Sequence, residues 1–219
     1  MNRPLPDRNA TEPCPQVLPG FEHVQRSWDR QHVRWSAKIM PGEYFVTRND
    51  ELVSTVLGSC ISACIHDPVL RIGGMNHFML PEDTSNGMSA WLDPSVGLAT
   101  RYGSFAMERL INDLMKLGAR RERLEVKLVG GGRILTSMTD VGERNIAFAR
   151  NWLRLEGLRI VAEDVGESFP RRILYFPAAG RVLLHRLRSL DGRTIACREQ
   201  QYLADLDATS AGGDVELFE

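Results

Sequence analysis

The chain has 219 residues, 43% hydrophobic and 25% charged, with a formal net charge of −1. That length suits one domain with a substantial core, and the near-neutral charge excludes a global pull toward nucleic acid or an anionic membrane surface. No apolar run approaches the roughly 20 residues that span a bilayer, the N-terminus lacks the apolar core of a secretory signal, and the four cysteines have no repeated spacing that would suggest a disulfide framework. The expectation is a cytoplasmic protein with free thiols, neither membrane-inserted nor bound to nucleic acid.

In chain order, residues 1–20 carry five prolines and no amphipathic period, so they read as a flexible tail, with Cys14 incidental. Residues 21–36 mix His23, His32 and several arginines with Trp28 and Trp35. Those aromatics need burial, which favours an arm packed on the domain over a docking segment. The domain is expected at 37–187, entered through a Pro41-Gly42 turn and a strand, with a C-terminal tail at 188–219 that either reaches back onto the domain or stays mobile.

The central stretch runs from Ser54 to Pro81. Residues 51–57 and 59–66 are short, apolar and β-branched, and are predicted as strands. Alternation groups Cys60, Ser62, Cys64 and His66 on one face and Ile61, Ala63 and Ile65 on the other, a plain core face. Gly58 before Ser59-Cys60 permits a bend whose backbone N–H groups could serve an oxyanion. Asp67-Pro68 is a turn signal. The chain returns over 71–80, where Met75, His77 and Met79 alternate with Asn76, Phe78 and Leu80. A hairpin-like return is one geometry that brings His77 beside Cys60. A neighbouring imidazole raises the thiolate fraction of a cysteine and can protonate a leaving amine, which suits acyl transfer from an amide. Two other local readings stand beside it. A buried cysteine is ordinarily a small apolar core residue. Cys60, Cys64, His66 and His77 could also ligate zinc, although their separations are not the tight pairs of structural zinc sites.

Beyond this stretch, residues 82–100 form a polar, glycine-containing loop with Trp91, read as either a mobile surface loop or part of a substrate groove. The strongest helix signal is at 101–117, where Tyr102, Ala106, Leu110 and Leu114 recur and Gly118 stops the run. A strand at 123–129 enters Gly130-Gly131-Gly132. Without a P-loop or GxGxxG pattern, that run reads as close backbone approach near the cleft rather than a nucleotide site. Asp140 and Glu143 suit a capping box for a second helix at 141–156. Three more strands are predicted at 158–165, 171–176 and 180–187. Without a regular βαβ rhythm, the expectation is an α/β fold, with α+β the alternative: a layered sandwich of mixed β-sheet with covering helices.

LGSC at 57–60 and GGMNHFMLP at 73–81 closely resemble the two signatures of the chemoreceptor glutamine deamidase family, CheD. The resemblance continues through YGSFAME (102–108), KLVGGG (127–132), VGERN (141–145) and DVGESFPRRILYF (164–176), and covers roughly residues 37–187. It implies a layered fold related to the cytotoxic-necrotizing-factor type of deamidase, with Cys60 as nucleophile, His77 as base and no cofactor. The family also uses a hydroxyl residue shortly before the cysteine. Ser54 and Thr55 are both candidates, and alternation lets only one face the site. Gly58, Ser59 and Asn76 are the candidate oxyanion or substrate contacts. Glu167 stands where the family pattern has a glycine. The implied activity is conversion of glutamines to glutamates in the cytoplasmic helical region of methyl-accepting chemotaxis receptors. An adaptor binding receptors or a chemotaxis phosphatase is the alternative, and a transglutaminase would use the same thioester.

Overall fold

The structure, a computed structural model, describes residues 12–80, 98–134, 141–187 and 189–210. Most of the loop expected at 82–100, including Trp91, and the capping residue Asp140 lie outside the described residues.

Strands β1 (Gln25–Asp29) and β2 (Arg34–Lys38) open the chain as a hairpin. Then come β3 (Tyr44–Thr47), β4 (Leu52–Leu57), β5 (Ile61–Asp67) and β6 (Ile72–Asn76). Helix α1 (Leu98–Lys116), β7 (Glu125–Gly130) and α2 (Val141–Leu155) follow. Strands β8 (Arg159–Val165), β9 (Arg171–Phe176) and β10 (Arg181–Arg186) lead to helix α3 (Ser189–Ser210). The strands form two five-stranded mixed sheets, ordered β1-β2-β4-β9-β10 and β3-β6-β5-β7-β8. The layered α/β class is the one expected.

The second sheet is covered on both faces, which explains why every residue of β5 is buried. The expected division into a polar face and a core face of that strand therefore does not hold. Toward the first sheet, a Cβ on Gly73 would meet the Tyr175 hydroxyl of β9, and that hydroxyl donates to the Ile65 carbonyl at 2.8 Å. Toward the helices, a Cβ on Gly74 would meet Leu110 of α1, and Phe78 packs edge-on against Phe148 of α2. On α1, Met107, Leu110, Ile111 and Leu114 are buried while Phe105 is exposed. Each fully buried side chain of this size contributes about 1.5–3 kcal/mol relative to exposure. Gly118, at φ 93°, ends the helix as expected.

Within the segment expected as a packed arm, residues 25–38 form two strands of the first sheet, with Trp28 opposite Trp35 in register and their rings 6.0 Å apart. Strand β2 then pairs in parallel with β4, Lys38 opposite Ser54. Residues 189–210, expected within a tail, form a helix of which Glu199 and Leu203 are buried.

Candidate active site

Strands β5 and β6 are antiparallel, and their register runs from Cys64 opposite Met75 to a final bridge between Ile61 and Phe78. Cys60 stands one residue beyond that bridge and His77 one residue before it, so they lie diagonally across the hairpin end. Alternation turns His77 to the same face as Gly73 and Met75, toward the first sheet. There β4 supplies Thr55. Its Oγ1 lies 2.8 Å from His77 Nδ1 and 2.8 Å from the Ile39 carbonyl oxygen. A hydroxyl has one proton, and a carbonyl can only accept, so Thr55 donates to Ile39 and accepts from His77 Nδ1–H. The tautomer this assigns leaves a lone pair on Nε2. Nε2 is buried and has no hydrogen-bond partner among the described residues.

Ser54 faces the other way and bonds Ser36 Oγ at 3.3 Å and the Ala37 carbonyl at 3.4 Å. Of the two hydroxyl candidates, the structure brings only Thr55 to the imidazole. Asn76 is likewise on the opposite face from His77. Its Oδ1 accepts from Ala63 N at 2.8 Å and its Nδ2 donates to the Ala106 carbonyl at 3.2 Å, so its amide is used in joining β5 and β6 to α1, away from the cleft.

The bend at 58–60 is held from behind by all three of its carbonyls. Gly58 O accepts from Gly132 N at 2.8 Å, Ser59 O from Asn145 Nδ2 at 2.8 Å, and Cys60 O from Gly131 N at 2.7 Å. The triple glycine makes this approach possible, because a Cβ on Gly130 would lie 2.3 Å from the Cys60 oxygen. The turn at 166–167 braces the same run: Gly166 N donates to Gly130 O at 2.9 Å, and Arg133 N donates to Glu167 O at 2.7 Å. Glu167 is left-handed at φ 64°, a conformation suited to the glycine of the family pattern. The fully buried Arg171 supports this corner through Asp164 at 2.6 Å and the Phe169 carbonyl at 3.2 Å.

With the carbonyls pinned, the amides of Gly58, Ser59 and Cys60 turn the other way, where they converge on the carboxylate of Glu199 from α3. The distances are 2.7, 2.7 and 3.2 Å, and Ser59 Oγ adds a fourth donor at 2.5 Å. One donor or acceptor atom each from Cys60, His77 and Glu199 lie within 4.8 Å of one another. These three could also ligate a cation. The carboxylate's partners here are hydrogen-bond donors, however, which is the chemistry of an anion site. Cys64 and His66, the other two residues of the four-ligand zinc reading, are not in this cluster; His66 packs against Gly180.

Burial dominates the electrostatics of the pair. It pushes the Cys60 thiol well above its ordinary value, with the Glu199 carboxylate adding to the rise. It lowers His77 to about 3. With α3 seated, the pair is a neutral thiol beside a neutral imidazole. A cleft of about 320 Å³ between α3 and the 38–41 segment reaches Thr55, His77 and Glu199, while Cys60 itself is fully buried.

Glu199 and Tyr202 were not found by sequence reasoning. They sit in an ordinary polar helix, CREQQYL, far along the chain from the cysteine, and only the docking of α3 brings them in.

Fold and site together define a layered α/β protein in which a buried thiol, an imidazole and a threonine hydroxyl stand beside a cluster of backbone N–H donors, a layout suited to acyl transfer. The profile of the family described as "CheD chemotactic sensory transduction" matches residues 79–186, beginning just beyond His77. Full-length relatives extend the match. One from Halorhodospira halophila is 48% identical over 96% of this chain and 97% of its own, and one from Hahella chejuensis is 50% identical over 94% and 96%. A third, from Janthinobacterium sp., is 52% identical over 87% of this chain and 93% of its own. Each of the three carries the name "Probable chemoreceptor glutamine deamidase CheD". The chain belongs to the CheD family.

Proposed function

We propose that this protein is a cysteine-dependent protein-glutamine deamidase that converts glutamines of methyl-accepting chemotaxis receptors to glutamates. It would act in the cytoplasm, where the receptors' signalling helices lie. The observation that carries the chemistry is the convergence of the 58–60 amides on one carboxylate group beside Cys60 and His77, Gly58 and Cys60 on one oxygen and Ser59 on the other. The substrate class is supported by the names and the near-complete coverage of the relatives. A chemotaxis phosphatase as second partner is an expectation of the family resemblance.

In this reading His77 Nε2 takes the Cys60 proton, and the thiolate attacks the glutamine side-chain carbonyl carbon. The resulting oxyanion takes the place of one carboxylate oxygen among the N–H donors of the 58–60 bend. The C–N bond breaks as the imidazolium protonates the departing ammonia. Water, deprotonated by His77, then attacks the thioester. The C–S bond breaks, and glutamate and the thiol are released. Thr55 holds the ring in the tautomer this cycle requires.

The test is intact mass of a receptor cytoplasmic fragment incubated with the protein. Each deamidation adds one dalton and releases one ammonia. Cys60→Ala is expected to abolish the gain, while Cys14→Ala, Cys64→Ala and Cys197→Ala keep most of it. Full activity in Cys60→Ala would end the nucleophile assignment.

A further inference from the structure

The Glu199 carboxylate is held as the product of glutamine deamidation would be held. Each carboxylate oxygen accepts from two donors, Oε1 from the Gly58 and Cys60 amides and Oε2 from the Ser59 amide and hydroxyl, a set matched to the carboxylate product, while a glutamine side chain has the same shape with –NH₂ in place of one oxygen. The carboxylate is delivered from a helix. Ile195, Glu199, Tyr202 and Leu203 form the face of α3 turned toward the domain, with Leu203 buried. Two further contacts fix the register. The Tyr202 hydroxyl hydrogen-bonds the Tyr102 hydroxyl of α1, and it sits over Gly42, where a Cβ would come within 2.7 Å. At Gly58 a Cβ would come within 2.5 Å of the carboxylate, so the anion fills the space in front of the bend.

Resting on the deamidase reading, we propose that α3 is a built-in product mimic, an intramolecular competitive inhibitor that a glutamine-bearing receptor helix must displace. The substrate would then enter as a helix lying where α3 lies, its glutamine side chain in the place of Glu199. The closed state also accounts for a nucleophile with no exposure beside a buried imidazole. Displacing α3 opens Cys60 to the cleft and removes the negative charge next to the thiol, which frees it to ionise toward His77.

The test uses the full chain with Glu199→Ala, with Leu203→Asp to undock α3 without touching the site, and with the near-isosteric Glu199→Gln. Iodoacetamide labelling of Cys60 at neutral pH, read by peptide mass, is expected to be at least about tenfold faster in the first two than in the parent protein, a change of one decade in the accessible reactive population. Turnover of a receptor cytoplasmic fragment should rise in the same two variants. Glu199→Gln sets a carboxamide in the site, and residue 199 should gain one dalton with time, a gain lost when Cys60→Ala is added. Parent-like labelling rates in both Glu199→Ala and Leu203→Asp would overturn the proposal. If labelling accelerates but no protein gives a Cys60-dependent gain on the receptor fragment or at residue 199, the deamidase reading fails and the occlusion of Cys60 by α3 stands.

Discussion

At the scale of single residues, the site depends on how one proton is shared. Thr55 spends its only proton on the Ile39 carbonyl, and so presents a lone pair to His77 Nδ1–H. Removing the hydroxyl while keeping the shape frees the ring to rotate and to take the other tautomer. Thr55→Val should therefore lower kcat by about 10- to 100-fold with little change in KM, a loss of orientation rather than of binding. Thr55→Ser should restore most of it, and Ser54→Ala should stay within about twofold, because the Ser54 hydroxyl bonds Ser36 and Ala37, away from the imidazole. Steady-state ammonia release separates these outcomes, and a Thr55→Val enzyme with parent kcat would remove Thr55 from the mechanism. Alternation alone told that Ser54 and Thr55 face oppositely. Which one meets His77 depends on β4 lying across from the end of β6, in a different sheet.

At the scale of elements, the 58–60 bend is shaped by segments distant in sequence. Three carbonyl tethers come from Gly131, Gly132 and α2, and the close approach leaves no room for side chains. A Cβ on Gly131 would meet Ile146 at 2.5 Å and the Gly142 carbonyl at 2.9 Å, at a φ of 65°. Gly131→Ala combines left-handed strain with overpacking and should destabilise the fold by about 2–4 kcal/mol. Urea unfolding of the variant checks this, and turnover should fall more than the loss of folded protein explains, because the amides of the bend lose their aim. An unchanged midpoint would show that the glycine run is not under packing constraint. The run of glycines was visible in the sequence as a place of close approach. The strand it approaches was not, since nothing local links residue 131 to residue 60.

At the scale of the whole molecule, the two sheets and α3 enclose a titratable pair, and the cost appears in the dependence of stability on pH. His77 is lowered to about 3 in the folded protein, so between that value and the ordinary value near ~6.5 the unfolded chain binds more protons than the folded one. Stability therefore rises with pH through that window and is lost as the solution is acidified, by an amount on the order of 5 kcal/mol from this group. The Cys60 thiol is raised, so above about 8.5 the unfolded chain releases a proton that the folded one keeps, and stability falls toward alkaline pH. The expected profile is a plateau between the two limbs. His77→Gln should reduce the acid limb, leaving the part due to the lowered Asp29, Asp67 and Asp113 carboxyls, and Cys60→Ala the alkaline one, leaving the part due to the raised Cys64 thiol, measured by thermal melting across pH. If the two variants follow the parent profile on both limbs, the pair is not buried in solution as it is in the structure.

The sequence by itself determined the class of the fold and the strands and helices from residue 44 to residue 186 within a few residues, which follow from local signals: alternation, helical period and turn residues. Those signals left Cys60 and His77 open between a nucleophile pair, core residues and metal ligands, and the resemblance of the LGSC and GGMNHFMLP runs to the CheD signatures made the pair the candidate centre. Only the tertiary structure decided that Thr55 rather than Ser54 meets the imidazole, that Asn76 belongs to the helix face, that residues 25–38 are strands of the first sheet, and that residues 189–210 form a helix docked on the 58–60 bend. Those outcomes depend on sheet order and on α3 returning to the bend across more than half the chain. A side chain such as Glu199 acquires its place from donors that lie 139 to 141 residues away, and no periodicity or spacing in a single chain encodes a contact of that range.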